Sequence, residues 1–266
     1  MRLAAILALV LTCAAVPAGA DPAGDAAGDP AGDDGQDPPS NHPGSRRDFL
    51  FGRPHGSIGV HGSWLLPRAG SDLFEFVTDQ LTVDRGDFRA AGIGARLGII
   101  VTSRIEAVAD VEFHKSETPS EYRRLVDNNL QPINQETQLE QVAVSGSVKI
   151  ALTPRGRRIS RLAWIPRSVI PYVGGGGGAV RYDFLQRGDF VDFVDSSVFT
   201  DVFQSKGWAP SAHGFGGVDL QLYRLVFLNV EGRYTWAEGT LDTDFVGFDP
   251  IDLAGFRMSA GVHVLF

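Results

Sequence analysis

The sequence predicts an all-β fold: eight antiparallel strands in up-and-down order, closed as a transmembrane β-barrel with long loops on one side. Three observations predict it. Eight segments alternate apolar with small or polar residues, the connections between them alternate long with short, and the last of the eight carries the alternation through Phe256 to Phe266. In that last segment Phe256, Met258, Ala260, Val262, Val264 and Phe266 share one face, and Arg257, Ser259, Gly261, His263 and Leu265 share the other. Successive side chains of a strand point to opposite faces, so such a strand can give one face to hydrocarbon and the other to a polar interior.

The N-terminus reads as an export signal, residues 1–20. Arg2 supplies the positive charge, Leu3 to Ala15 is apolar but shorter than the about 18 residues a spanning helix needs, and Ala18-Gly19-Ala20 places cleavage after Ala20. Cys13 invites a lipoprotein reading, but Thr12 is a poor neighbour for a lipidated cysteine and cleavage there would leave almost no apolar core. With Cys13 removed alongside the signal, no disulfide supports the mature protein. Residues 21–49, beginning DPAGDAAGDPAGDDGQDPP, hold no apolar residue larger than Ala before Phe49 and read as a disordered acidic tether. Residues 50–266 remain for one barrel domain. The formal charge of -8 comes largely from tether and loops and argues against nucleic acid as a partner. An exported chain without helical spans crosses a membrane only as a closed barrel.

The strands fall at about 56–66, 88–101, 104–114, 141–152, 169–184, 207–222, 225–236 and 252–266. In the second, Ile93, Ala95, Leu97, Ile99 and Val101 oppose Gly92, Gly94, Arg96 and Gly98. In the third, Ile105, Ala107, Ala109, Val111 and Phe113 oppose Arg104, Glu106, Asp110, Glu112 and His114. In the seventh, Val226, Leu228, Val230, Tyr234 and Trp236 oppose Asn229, Glu231, Arg233 and Thr235. Most are near or above the ~9–11 residues of a tilted transmembrane strand.

Tight turns are expected at Thr102-Ser103 and Tyr223-Arg224, a medium connection at 153–168, and long ones at about 67–87, 115–140, 185–206 and 237–251. Every second hairpin points the same way, so short turns gather at one end and long loops at the other. Aromatic residues sort likewise. Trp64, Phe88, Phe113, Tyr182, Trp208, Tyr234 and Trp236 fall at long-loop ends, and Trp164, Tyr172, Tyr223, Phe227 and Phe266 at short-turn ends, as two interfacial belts would. A soluble barrel of lipocalin type alternates equally well with its apolar face inward. The export signal, strand lengths, belts and terminal Phe together favour the membrane reading.

With Pro171-Tyr172-Val173-Gly174, similar to a PYVGxG strand opening, and the C-terminal strand ending on Phe266, residues 50–266 resemble the small eight-stranded outer-membrane barrels of the OmpA/OmpW type. The resemblance implies a bacterial outer-membrane location, lipid and lipopolysaccharide contacts, and insertion by an assembly machinery that reads the terminal strand. Its members include lipid A-modifying enzymes, adhesins and narrow channels, so fold does not select among these. A monomer is expected.

The polar face is charged: Arg96, Glu106, Asp110, Glu112, Lys149, Arg181, Asp183, Asp219, Glu231, Arg233 and Arg257. Eight strands leave room only for side chains inside, and buried charges must pair, so an interlocked salt-bridge plug is expected ahead of a gated narrow pore. Small residues Gly92, Gly94, Gly98, Ser145 and Ser147 would leave voids for water and keep the pore in play. Gly174 to Ala179 formally contains G-x-G-x-x-A, but a dinucleotide loop joins a strand to a helix and this run lies inside a strand. His61 with Ser63 could serve acyl transfer, and Glu112 with His114 could hold a metal; neither has a supporting motif, so no catalytic, cofactor or metal residue is assigned. Arg155, Arg157, Arg158, Arg161 and Arg167 with Trp164 read as an interfacial anchor. The Phe-rich loops 184–199 and 244–252 and segment 71–81, where Asp72 and Glu75 could cap a helix burying Leu73, Phe74, Phe76 and Val77, are expected to pack as a cap over the mouth.

The expectation is a non-enzymatic outer-membrane barrel with an envelope-structural role and narrow passage of small solutes. The alternatives are surface recognition through the Phe/Asp loops and, behind it, lipid A modification.

Overall fold

Hydrogen-bond partners that alternate antiparallel around a full circle define the architecture. The computed structural model describes residues 50–51, 53–126, 130–158, 163–192 and 197–266. The signal, the tether and Arg161 lie outside the described residues. All described residues fall in the second of the chain's two units, Arg46–Phe266.

Eight long strands follow in order: β1 Gly56–Pro67, β2 Ala90–Ile100, β3 Ile105–Val126, β4 Pro132–Ala151, β5 Val169–Val191, β6 Val198–Tyr223, β7 Val226–Gly239 and β8 Gly255–Leu265. Each pairs antiparallel with the next, and β8 pairs with β1 through Met258 opposite Trp64 and Val262 opposite Val60. The ring is therefore an up-and-down barrel without free edges.

The barrel is inside out relative to a soluble one. Val60, Ile93, Ile99, Val148, Met258 and Val264 stand exposed on the outer wall, whereas Glu106, Asp110, Glu112, Lys149, Asp219 and Glu231 are buried within. A lipocalin-type barrel requires the reverse. A band of apolar side chains around a charged interior is stable where hydrocarbon, not water, is the outer solvent.

Four strands are longer than the alternation indicates. β3 and β4 have 22 and 20 residues and β5 and β6 have 23 and 26, against 12 in β1 and 11 in β2. The expected loops 115–140 and 185–206 are mostly paired strand, with Glu121 opposite Asn134 and Val191 opposite Val198. Along these extensions most positions on both faces of β3 and β4 are polar, so the apolar–polar rhythm fades while the backbone ladder continues. Lys115, Glu117 and Pro119 point out, while Ser116, Ser120, Gln135 and Thr137 point in. Two tall hairpins rise from the long-loop end.

The cap over that end is present. Helix α1, Asp72–Gln80, buries Leu73, Phe74 and Val77. Phe74 meets Phe88 at 4.9 Å and Phe184 at 6.1 Å, and Phe184 meets Phe245 at 5.5 Å, within one apolar cluster that includes Tyr182, Ile251 and Leu253. Two details differ from expectation. The N-cap is Ser71, not Asp72, and the Asp72 carboxylate instead accepts from the Asp249 amide, tying the helix to the last loop. Phe76 stays exposed on the rim, 5.6 Å from Phe248.

The other end is closed as well. The connection between β4 and β5 folds into short strands Gly156–Arg158 and Ala163–Pro166, and Leu50–Phe51 adds a third. Above this small sheet Ala151, Ile170, Phe227 and Leu265 make a second apolar layer.

Of the aromatic belts, Trp64, Trp208, Trp236 and Phe266 face outward and are exposed, with Tyr234 half-buried against Trp236 at 4.9 Å. Tyr182, Tyr172, Phe227 and Trp164 do not belong to a belt. Tyr182 points inward into the cap and donates to the Thr240 carbonyl, Tyr172 lies in the charged core, and Trp164 is buried in the small sheet. A ring whose hydroxyl or indole edge finds a protein partner loses less by burial than one left without.

Candidate functional site

Between the two apolar layers lies the one chemically dense region among the described residues, and strand parity builds it. The inward positions of β2, β3, β7 and β8 bring Arg96, Asp110, Glu112, Glu231, Arg233 and Arg257 to one level. Arg96 donates to Asp110 at 3.0 Å through Nε and to both oxygens of Glu231 at 3.0 and 3.1 Å. Arg233 donates to Glu231 at 2.9 Å and approaches Asp110 at 3.7 Å. Arg257 pairs with Glu112 and stands 3.8 Å from Asp110.

A second group lies nearer the short turns. Lys149 donates to Asp219 at 2.7 Å and lies 3.9 Å from Glu106, and Glu106 accepts from Arg155 at 2.7 Å and from the Ser57 hydroxyl at 2.6 Å. Tyr172 and Asn229 join the two groups. The Tyr172 hydroxyl donates to Glu231 at 3.0 Å, and the Asn229 amide donates to Tyr172 at 2.6 Å and to Asp219 at 2.7 Å. The Lys149 ammonium sits 3.8 Å from the centre of the Tyr172 ring.

The charges balance within each group: Arg96, Arg233 and Arg257 against Asp110, Glu112 and Glu231, and Lys149 and Arg155 against Glu106 and Asp219. Burying ions is costly, and only such multiple pairing repays it. The glycines expected to leave voids are covered. A Cβ on Gly92 would come within 2.5 Å of the His114 ring, on Gly94 within 2.5 Å of His61, and on Gly98 within 2.3 Å of both Glu106 and Ser57. In β5 the Phe215 ring fills the space beside Gly174, so the glycine run is strand wall and not a phosphate loop. The cavity bordered by His61, Arg96, Glu106, Lys149, Asn229 and His263 measures about 20 Å³, roughly enough for one water.

Arg181 is not in this network. It faces outward, opposite Trp208 in the register, and Asp183 also lies on the outer face, where Gln204 donates to it at 2.8 Å. The physical reason is depth: near the long-loop rim an outward charge reaches headgroups and water, so charge there does not mark the lumen. Sequence reasoning missed Arg155, read as an anchor, and Tyr172 and Ser57 as members; Asn229 was placed on the polar face of the seventh strand but not counted in the charge network. The inward phase of β5 was obscured by Gly174 to Gly178, which carry no side chain to alternate. The parity of Ser57 with His61 could have revealed Ser57.

Neither proposed chemistry is assembled. Ser63 pairs with His114 at 3.0 Å and not with His61. Glu112 faces the same His114 nitrogen, Nε2, at 3.5 Å, whereas a relay needs its carboxylate on the other ring nitrogen. Donor atoms of His61, Asp110 and Glu112 lie within 4.8 Å of one another. The guanidiniums of Arg96, Arg233 and Arg257 already occupy those carboxylates, so a divalent ion would add two charges beside three of the same sign.

No protein-family model matches the chain, and no curated protein does. Among solved structures it is similar to Neisserial surface protein A (13% identity, 79% of this chain and 97% of that one, TM-score 0.45). It is also similar to the N-terminal β-barrel domain of Pseudomonas aeruginosa OprF (13%, 80% and 100%, TM-score 0.37) and to Ail, the attachment invasion locus protein of Yersinia pestis (11%, 80% and 97%, TM-score 0.37). The likeness is one of architecture. The chain's own strand pairing makes it an eight-stranded antiparallel up-and-down barrel.

Proposed function

We propose that this chain is a non-enzymatic protein of the bacterial outer membrane, in which the barrel is a closed, non-conducting support and the working surface is the two hairpins and cap at its long-loop end. The observation that carries this reading is the filled lumen: balanced ion pairs between an apolar cap and an apolar floor. Such a barrel contributes to the envelope by holding its outer surface in place. Lipids and lipopolysaccharide contact its apolar wall, and insertion proceeds through the assembly machinery acting on the C-terminal strand of a monomer. Surface recognition fits this arrangement better than narrow passage does. Exposed apolar residues Val126, Leu130, Phe199 and Val202 stand on the tall hairpins, where no hydrocarbon covers them.

Planar-bilayer recording of the refolded chain tests the closed barrel. Wild type is expected to stay silent, and Arg96→Ala, which unbalances the plug, to give at most rare openings. Discrete wild-type openings altered by Arg96→Ala would instead establish a gated path and restore the passage reading.

A further inference from the structure

The small sheet beneath the barrel floor leaves a cavity of about 170 Å³, bordered by Arg53, Ile100, Ser103, Arg155, Trp164 and Leu265. This is smaller than the roughly 300–1,000 Å³ of sites for drug-sized ligands and suits a molecule of a few heavy atoms. Its lining combines apolar Ile100, Leu265 and Trp164 with cationic Arg53 and Arg155.

The cationic residues have unused donors. Arg155 is only 4% exposed, gives Nη2 to Glu106, and has an Nε without a hydrogen-bond partner among the described residues. Nη2 of Arg53 is also buried without one. Buried N–H groups lacking acceptors are costly, and one anion could satisfy both. The charge count points the same way. Arg155 and Lys149 are balanced by Glu106 and Asp219, whereas Arg53 has no carboxylate within ion-pair distance among the described residues.

We propose that this cavity is a binding site for a small organic oxyanion, a carboxylate or phosphate monoester on a short apolar body. Guanidinium forks match the geometry of such oxygens, and the aliphatic wall takes the remainder. Trp164 and Leu265 are buried, so a free anion from the aqueous short-turn side fits the site better than a headgroup held at the bilayer surface. This site is separate from the hairpins and cap, and it gives the closed floor a ligand-dependent role.

The test is a titration of the folded full chain in zwitterionic micelles, read by NMR at the Trp164 indole N–H resonance, which Trp164→Phe identifies. Butyrate and methyl phosphate are each expected to give a saturable shift that chloride at equal ionic strength does not. Arg53→Gln should weaken both at least tenfold, with part of the loss recovered in Arg53→Lys. A linear, non-saturating response, or an affinity unchanged in Arg53→Gln, overturns the site. So does a shift in nanodiscs that needs anionic lipid and no added solute, because it would assign Arg53 to a headgroup.

Discussion

Removing the Arg96 guanidinium leaves Asp110 and Glu231 in the lumen with one cation fewer between them. Truncating one partner of a buried ion network costs about 3–5 kcal/mol, so Arg96→Ala is expected to lower the unfolding free energy of the detergent-folded barrel, read by urea titration, by that order. Arg181→Ala, on the outer face, should change stability by no more than about 0.5 kcal/mol. Comparable losses in the two variants would contradict the inward and outward assignments. Most of the network was legible in the sequence, because charges on the polar faces of β2, β3, β7 and β8 have nowhere else to go in a membrane barrel. Arg181 and Tyr172 were not. The glycines between them remove the side-chain rhythm, and rim depth makes an outward arginine acceptable.

At the scale of elements, the two ends of the barrel differ in what closes them. The cap is an apolar core in miniature, and Phe74, fully buried against Phe88 and Phe184, is its centre. Phe74→Ala should cost about 3–5 kcal/mol and make loop 67–88 sensitive to protease while the barrel stays folded. Cleavage rates equal to wild type would mean the cap does not depend on this contact. The tall part of the β3–β4 hairpin makes few buried apolar contacts, so replacing 117–136 by a short turn is expected to leave heat-modifiable folding intact. Loss of folding would show that these extensions brace the barrel. Clustered phenylalanines made the cap legible. The hairpin extensions were hidden because strand pairing between two polar faces leaves no hydropathy pattern, and Pro119 argues against a strand by propensity.

Residues 56–266 form a sheet wrapped with its apolar face outward around a paired, charged interior and stoppered at both ends. A charge placed on the outer wall near mid-height should therefore be costly: Val230→Arg is expected to destabilise the lipid-folded protein by about 2–4 kcal/mol. A neutral effect would place that face in water. The most direct test is fluorescence quenching of variants retaining one tryptophan each, folded into vesicles whose acyl chains carry bromine near the headgroup. Trp64, Trp208 and Trp236, which stand exposed on the outer wall, are predicted to be strongly quenched, and Trp164, buried beneath the floor, to be spared. Quenching of Trp164 with protection of the other three would contradict the inside-out barrel at its foundation.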